Sequence, residues 1–273
     1  MSKDSFGDRI KFFEGIETAQ HFIPTLPIVI RLDGRSFSSY TRGMAQPFDE
    51  RMSRAMVETT KALLEETNAV IGYTQSDEIT LVLYSGSFDS QVWFDGKKMK
   101  IVSCLASFCS TIFYREIVKA FPEKVMGVLP TFDCRAFNVP SKMEAANAVL
   151  WRELDSTKNA ISSATRCFYS PAQMEGKNSS DKQEMLHQVG VNFNTYPAFF
   201  KRGTFVQRRK SVRRYTADEV AVLPLKHNAR INPDLEIERT DVVELSMPPF
   251  SKVINRVDVV FEGADPVVES GTL

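Results

Sequence analysis

The chain of 273 residues is poor in the side chains that build zinc sites and disulfide frameworks, since it contains four cysteines and three histidines. No two cysteines form a short-spaced pair with matching histidines, which argues against a structural zinc site. Cys104 and Cys109 fall in an apolar helical pattern, where a reduced buried thiol is the simplest interpretation. The cysteine pattern therefore predicts a reduced, intracellular environment.

The sequence also lacks a net charge, a signal peptide and a long apolar run. Lysine plus arginine and aspartate plus glutamate both number 34, so any nucleic-acid site has to be a local basic patch. The N-terminus has no apolar segment of the signal-peptide kind, and no stretch approaches the ~18 apolar residues of a membrane span. We therefore expect a cytoplasmic protein with no membrane partner, and the 43% hydrophobic content allows a sizeable core.

What is present is an ordered series of strand and helix patterns. A short helix is expected over 5–19. The series that follows is strand 27–32, helix 49–67, strands 69–75 and 78–84, helix 99–121 and strand 131–138. This β-α-β-β-α-β order is typical of a ferredoxin-like sheet, so we predict an α+β fold. Further helices are expected over 141–166 and 180–189. We assign residues 1–140 to a catalytic core and 141–273 to a helical and mixed C-terminal lobe, or the whole chain to one continuous domain.

Two acidic residues that are distant in the chain are expected to meet at one edge of this sheet. Asp33 ends the first strand and Asp77 precedes the third, and these strands are antiparallel neighbours in a ferredoxin-like sheet. Facing carboxylates repel and favour a bound cation, and hard oxygen ligands suit Mg²⁺ or Mn²⁺. Two such ions ~3.5–4 Å apart are a common arrangement for nucleotidyl transfer. Taken singly, each Asp also fits an ordinary turn.

Two neighbours of the acidic pair complete the predicted catalytic group. Gly34 lets the backbone approach closely, so its carbonyl is a candidate third metal ligand. Glu78 follows Asp77 and is expected either to support the site from behind or to form a salt bridge.

Five segments, in order along the chain, resemble the motifs of one enzyme family. They are Arg31–Phe37, Gly72–Glu78, Phe132–Phe137, Ser180–Leu186 and Lys201–Thr204. Through them the chain resembles the tRNA-His guanylyltransferases and their tRNA-repair relatives, the 3′-to-5′ polymerases. The resemblance implies a fold similar to nucleic-acid polymerase palms, with two Mg²⁺ at the positions of Asp33, the Gly34 carbonyl and Asp77. It also implies activation of a tRNA 5′ end by ATP or GTP, attack on that end by the 3′-hydroxyl of an incoming nucleoside triphosphate, and a homotetramer.

One segment departs from the pattern of members that add the extra guanylate to tRNA-His. Those members carry HINNLYNT after a Trp-Arg motif, whereas here Trp151-Arg152 leads into DSTKNAIS, where Asn159 alone matches. The chain in this respect resembles relatives that repair 5′-truncated tRNAs by templated addition, and repair is our prediction. The alternative is tRNA-His guanylylation. A palm-type nucleotide cyclase and a non-catalytic RNA-binding module are more distant alternatives, because they share the two-carboxylate plan or the strand order.

The remaining predictions concern contacts with nucleotide and RNA. The nucleotide-binding candidates are Gly34, Arg35, Ser36, Phe37, Arg42, Gln46, Asp49, Ser76, Lys97, Lys100 and Arg135. Structural roles stay open for some of them: Asp49 also fits a helix N-cap, and Arg135 also fits a bridge to Asp133. The RNA-binding candidates are Asn159, Lys182, Lys201, Arg202, Arg208 and Arg209. Most of these lie in the basic run 201–214, although such a run is often only a solvated surface.

Overall fold

A computed structural model describes residues 5–90, 92–122, 128–232 and 234–269. In these residues the strands are β1 (Ile28–Gly34), β2 (Ile71–Gln75), β3 (Glu78–Leu83), β4 (Phe132–Asn138), β5 (Thr204–Arg214) and β6 (Glu236–Glu244). The helices are α1 (Ser5–Thr18), α2 (Phe37–Tyr40), α3 (Glu50–Thr67), α4 (Lys98–Ala120), α5 (Lys142–Arg166), α6 (Pro171–Met174), α7 (Ser179–Gln188), α8 (Ala198–Arg202), α9 (Ala217–Val222), α10 (Asn228–Ile231) and α11 (Arg256–Glu262).

The six strands form one antiparallel sheet with the order β4-β1-β3-β2-β5-β6. The predicted α+β class is confirmed, and β1 and β3 are antiparallel neighbours as expected. The strands β5 and β6 follow residue 140 and extend the same sheet beside β2. The sheet therefore contains strands from both parts of the chain that we distinguished in the sequence.

Alternation along β1 divides the core between the two faces of the sheet. Ile30 and Leu32 are fully buried on the face that packs against α3 and α4. Val29 lies on the opposite face, where α5 and α11 cover the strands. Since successive side chains of a strand point to opposite faces, Arg31 and Asp33 share the face of Val29. The charged end of β1 is thus on the side of the sheet that α5 covers.

The helix α4 is long and apolar, although we expected no membrane-spanning segment from the sequence. By length and apolarity alone it is suited to cross a bilayer, because serine, threonine and cysteine interrupt its apolar residues without adding charge. Five of its buried residues, among them Ile101, Leu105 and Phe113, pack in the core cluster that α4 shares with α3 and the sheet. Met99, Tyr114 and Val118 on the same helix remain exposed.

Candidate functional site

The acidic pair lies where the end of β1 meets the start of β3. The Cα atom of Asp33 is paired with that of Glu78 across the two strands, and the Gly34 amide donates a hydrogen bond of 3.0 Å to the Asp77 carbonyl. The side chains of Asp33 and Asp77 line one cleft. The structure therefore brings the two predicted carboxylates together, and a backbone hydrogen bond fixes their relative position.

The turn before β3 is shaped around the second carboxylate. Ser76 has a left-handed backbone with φ of 55°, and its hydroxyl donates to Asp77 Oδ1 at 3.0 Å. Burial raises the pKa of Asp77, and the negative charge of Asp33 raises it further, while the bond from Ser76 opposes the shift. Two carboxylates held in this way are stabilised by a cation between them.

The third predicted catalytic residue, Glu78, is engaged in an ion pair. Its carboxylate accepts two hydrogen bonds from the guanidinium of Arg152 on α5, one of them at 2.6 Å. Arg31 Nε lies 4.0 Å from the same carboxylate. Burial nevertheless raises the pKa of Glu78 above its usual value. Of the two roles that the sequence left open, the structure shows the salt bridge.

A cleft of about 530 Å³ opens from the acidic pair towards α5 and α8. Its floor includes Gln75, Ser76 and the acidic pair. Its walls come from α5 and from the loop and helix start around residues 41–53. The wall residues include Gln46, Phe48, Arg152, Asn159, Ser163, Arg166, Phe199 and Phe200. The cleft thus has an acidic end at the sheet and an aromatic end, where the rings of Phe48 and Phe200 lie 4.8 Å apart.

Asp49 lines this cleft, but its carboxylate is already bonded to other residues of the protein. It caps α3 by accepting from the Arg51 amide at 3.0 Å, and it also accepts from the Ala45 amide at 3.2 Å. The Arg51 guanidinium forms an ion pair with it at 3.1 Å. These bonds lower the pKa of Asp49, although burial opposes them as the largest single influence. The structure therefore shows the N-cap role that the sequence left open beside base recognition.

The segment that follows the acidic Asp33 has a packing role that the nucleotide prediction for Phe37 did not include. The Phe37 ring is buried against Tyr40, Phe113 and Phe132. A Cβ atom at Gly34 would overlap this ring, so packing alone requires glycine there. The buried side chain of Phe37 does not line the cleft, and contact of its backbone amide with a phosphate stays a prediction.

Several other nucleotide candidates lie away from the cleft. Lys97 and Lys100 lie at the start of α4, where the Lys98 amide bonds to the Gln20 carbonyl ahead of β1, whereas Asp33 lies near the other end of β1. The Lys100 ammonium is 4.6 Å from the Phe94 ring centroid. Neither lysine lines the cleft, so the structure of one chain does not bring them to the acidic pair, and their contact with the triphosphate stays a prediction.

The four remaining nucleotide candidates are exposed and do not line the cleft: Arg35, Ser36, Arg42 and Arg135. Ser36 has a left-handed backbone and precedes α2. The Arg35 amide bonds to the Thr131 carbonyl. Arg135 forms an ion pair of 3.3 Å with Asp133, which is the structural alternative that the sequence left open. Their contact with nucleotide stays a prediction.

The RNA-binding candidates differ in whether their side chains already bond to other residues of the chain. Asn159 lines the cleft, and Lys182 donates to the hydroxyl of Ser162, another wall residue, at 3.0 Å. The Lys201 ammonium donates to the Asn194 carbonyl, and burial together with the charge of Arg202 lowers its pKa. Arg202 approaches the buried Glu153 at 3.9 Å.

Arg208 and Arg209 are held by contacts within the chain. Arg208 donates to the backbone carbonyls of Leu64 and Glu65 at the end of α3, while Arg209 pairs with Asp265 at 2.6 Å. The outer basic residues of β5 also have acidic partners in ion pairs: Lys210 with Glu238, Arg213 with Glu219 and Arg214 with Asp234. The basic run is therefore largely neutralised, and RNA contact by Arg208 and Arg209 stays a prediction without structural support.

Arg152 and the aromatic wall are the site features that the sequence analysis did not assign. Arg152 belongs to the Trp-Arg pair that we noticed only as a landmark, and its pairing with Glu78 depends on α5 covering the sheet. Phe48 and Phe200 come from distant segments. Nothing in their local sequences, QPFDE and PAFFKR, distinguishes them from ordinary core aromatics.

The oxygen-only donor set at the sheet edge is compatible with the predicted hard cation. Across the described ranges, no group of three or more histidine, cysteine, aspartate or glutamate side chains is arranged to hold a metal. The candidate site therefore consists of two converging carboxylates with a neighbouring backbone carbonyl. Such sites bind Mg²⁺ through few protein ligands, because the ion keeps waters and substrate phosphates in its coordination sphere.

Comparison with known proteins gives the same family as the sequence motifs. The family model described as tRNAHis guanylyltransferase matches residues 7–140. A solved bacterial tRNA(His) guanylyltransferase-like protein in complex with ATP is 30% identical over 94% of this chain and 98% of its own, with a TM-score of 0.75. The chain belongs to the tRNA-His guanylyltransferase superfamily.

Two further relatives of the superfamily extend the comparison. The tRNA(His) guanylyltransferase of Saccharomyces cerevisiae is 28% identical over 229 residues, which are 78% of this chain and 93% of the yeast protein. A solved bacterial tRNA(His) guanylyltransferase-like protein in complex with GTP has a TM-score of 0.69 at 28% identity, covering 95% of this chain and 98% of its own. As a member of the superfamily, the chain is a nucleotidyltransferase that acts in tRNA processing.

Proposed function

We propose that this protein adds nucleotides to the 5′ end of tRNA in the 3′-to-5′ direction and repairs 5′-truncated tRNAs by templated addition. The observation that carries the proposal is the convergence of Asp33 and Asp77 at one end of a cleft large enough for a nucleoside triphosphate. The bacterial relatives bound to ATP and to GTP support both nucleotides as ligands of this cleft.

In this proposal Asp33, Asp77 and the Gly34 carbonyl hold two Mg²⁺ ions, for which Mn²⁺ can substitute. The bound ions would supply charge neutralisation at the phosphates and a lowered pKa at the attacking hydroxyl. The sheet edge and the α3–β2–β3 core that supports it fit the palm architecture of nucleic-acid polymerases. Ser76 orients Asp77 through its hydroxyl.

The residues that line the cleft beside the metal site also have proposed roles. Arg152 keeps Glu78 paired, so that Glu78 adds no uncompensated charge beside the acidic pair. The aromatic end around Phe48 and Phe200 provides apolar surface on which a nucleobase can pack. Gln46 and Asn159 line the same walls and can bond to a base or ribose.

The wall of α5 supports repair over tRNA-His guanylylation. The stretch DSTKNAIS, residues 155–162, stands where guanylate-adding members carry HINNLYNT, and Ser156, Asn159 and Ser162 from this stretch line the cleft. The His and the Tyr of HINNLYNT are therefore absent from this wall. The alternative, addition of the extra guanylate to tRNA-His, has the names of the curated relatives in its favour. The homotetramer implied by the resemblance stays a prediction.

The test is a 5′-extension assay with Mg²⁺, ATP and the four nucleoside triphosphates. The substrates are a tRNA that lacks its first nucleotide, full-length tRNA-His without the extra guanylate, and a truncated tRNA whose template base has been exchanged. We expect extension of the truncated tRNAs, with the added base following the exchanged template base. Extension of tRNA-His alone would establish the alternative, and no extension of any substrate beside an active relative would refute both.

A further inference from the structure

The N-terminal helix α1 carries apolar side chains that the described part of the chain leaves exposed. None of the residues of α1 is buried, and Phe6, Ile10, Phe12, Phe13 and Ile16 are 48–65% exposed. An isolated helix of about 14 residues is only marginally stable in water. The helix therefore presents an apolar surface that is available to a partner.

In the sequence of α1, residues that could pair with each other lie at equal distances before and after Phe13. Ile10 and Ile16 lie three residues before and after it, and Arg9 and Glu17 lie four residues before and after it. Positions three and four apart share one face of a helix, so all five side chains point to the same side. The Arg9 guanidinium also lies over the Phe6 ring at 5.6 Å from its centroid, which places the charge beside the apolar surface.

We infer that α1 pairs antiparallel with α1 of a second copy of this chain across a two-fold axis at Phe13. In this arrangement Phe13 packs on its symmetry mate, Ile10 faces Ile16 of the other copy, and Arg9 faces Glu17. An isologous contact repeats each pairing twice, so two opposite-charge pairs flank one apolar centre. A parallel pairing would instead place Arg9 against Arg9 and Glu17 against Glu17.

This contact is independent of the proposed function, because no residue of α1 lines the cleft. It specifies a surface and an orientation, and it is compatible with a dimer or with a larger assembly that uses a second interface. Its failure would leave the catalytic proposal untouched, and loss of catalysis would not affect it.

The experiment uses sedimentation velocity on the full chain over a range of concentrations. We expect the wild type to self-associate and Arg9→Glu to weaken association on the order of tenfold or more, because both ion pairs become repulsive. The same holds for Glu17→Arg. An equimolar mixture of the two single variants should form a mixed pair, and the double variant R9E/E17R should associate like the wild type.

Lys11→Glu is the matched control, since this residue lies two positions from Phe13 on the other side of the helix and should leave association unchanged. Circular dichroism and a thermal melt verify folding, and Phe13→Gln supplies a second disruption without a change in charge. A wild type that stays monomeric would overturn the inference. So would single variants that associate like the wild type, or a mixture that remains as weak as its components.

Discussion

Arg152 and Glu78 lie 74 positions apart in the chain, yet they form a two-point ion pair at the floor of the cleft. Their side chains are only 12% and 14% exposed. The pair joins α5 to the first residue of β3, directly after Asp77. It therefore positions the cleft wall against the acidic end of the sheet.

Removal of either member of this pair should destabilise the protein. Arg152→Gln and Glu78→Gln should each lower the free energy of unfolding by about 2 kcal/mol, because the remaining charge stays largely buried and loses its closest partner. Glu78 would keep only Arg31 at 4.0 Å, and Arg152 would keep only Asp155 at 3.2 Å. The double variant should lose less than the sum of the two. Urea denaturation measures these energies. Glu238→Gln, which removes an exposed partner of Lys210, is the control and should leave the midpoint unchanged. Additive losses would contradict the coupling.

Asp77→Asn should abolish 5′ addition without weakening the metal-free fold. Burial and the charge of Asp33 raise the pKa of Asp77, so a neutral amide relieves repulsion that the apo protein contains. We expect a melting temperature without metal that equals or exceeds that of the wild type. With Mg²⁺ present, only the wild type should gain stability. A metal-free melt in which the variant unfolds well below the wild type would instead assign Asp77 a structural role.

Gly203 should tolerate alanine far less well than Gly190 does. Both have a positive φ, of 76° and 78°, so both variants bear backbone strain of at least about 1 kcal/mol, and the ψ of −171° at Gly203 lies in a region that is essentially restricted to glycine. A Cβ at Gly203 would also lie 2.6 Å from the Thr74 carbonyl oxygen, whereas nothing lies within 4 Å at Gly190. Gly203→Ala should therefore cost an additional 1–3 kcal/mol, roughly the cost of overpacking, measured by urea denaturation. Equal losses for the two variants would show that the start of β5 can shift.

Glu153→Gln should change how stability depends on pH. Glu153 is 2% exposed and accepts bonds from the Phe250 amide. Its burial raises the folded-state pKa above the unfolded value. Its contribution to stability is then fullest below the unfolded pKa and is lost as the pH rises through the folded pKa. The variant lacks this loss, because its amide stays neutral.

The measurement is the free energy of unfolding of both proteins at pH 5 and pH 8. The stability of Glu153→Gln relative to the wild type should be greater at pH 8 than at pH 5. The opposite trend would mean that Arg202, at 3.9 Å, controls the titration of Glu153.

The sequence was sufficient to predict the central strands and the meeting of Asp33 and Asp77, because both follow from alternation and strand order. The same reasoning expected further strands in the C-terminal part but did not locate β5 and β6. In the sequence the β5 segment looks like a basic run, because it contains Arg208, Arg209 and Lys210. Its strand character depends on pairing with β2 and β6, which no local pattern reports.

The site residues that depend on tertiary packing were the least predictable. The partner of Glu78 is contributed by α5, and the partners of Arg208 are backbone carbonyls of α3. A single sequence records charges and spacing, but it does not record which charges are neutralised after folding. The sequence likewise does not report that the start of α4, with Lys97 and Lys100, lies away from the cleft.

The acidic residues and the cleft walls are contributed by different parts of the structure. Asp33 and Asp77 are tied to each other through the Gly34 amide, while Gln46, Asn159 and Ser163 belong to a loop and to α5. Natural variation in the walls can therefore alter which base or which RNA end is accepted without moving the carboxylates. Descendants of one ancestral catalyst could in this way acquire distinct substrates while retaining a common reaction chemistry.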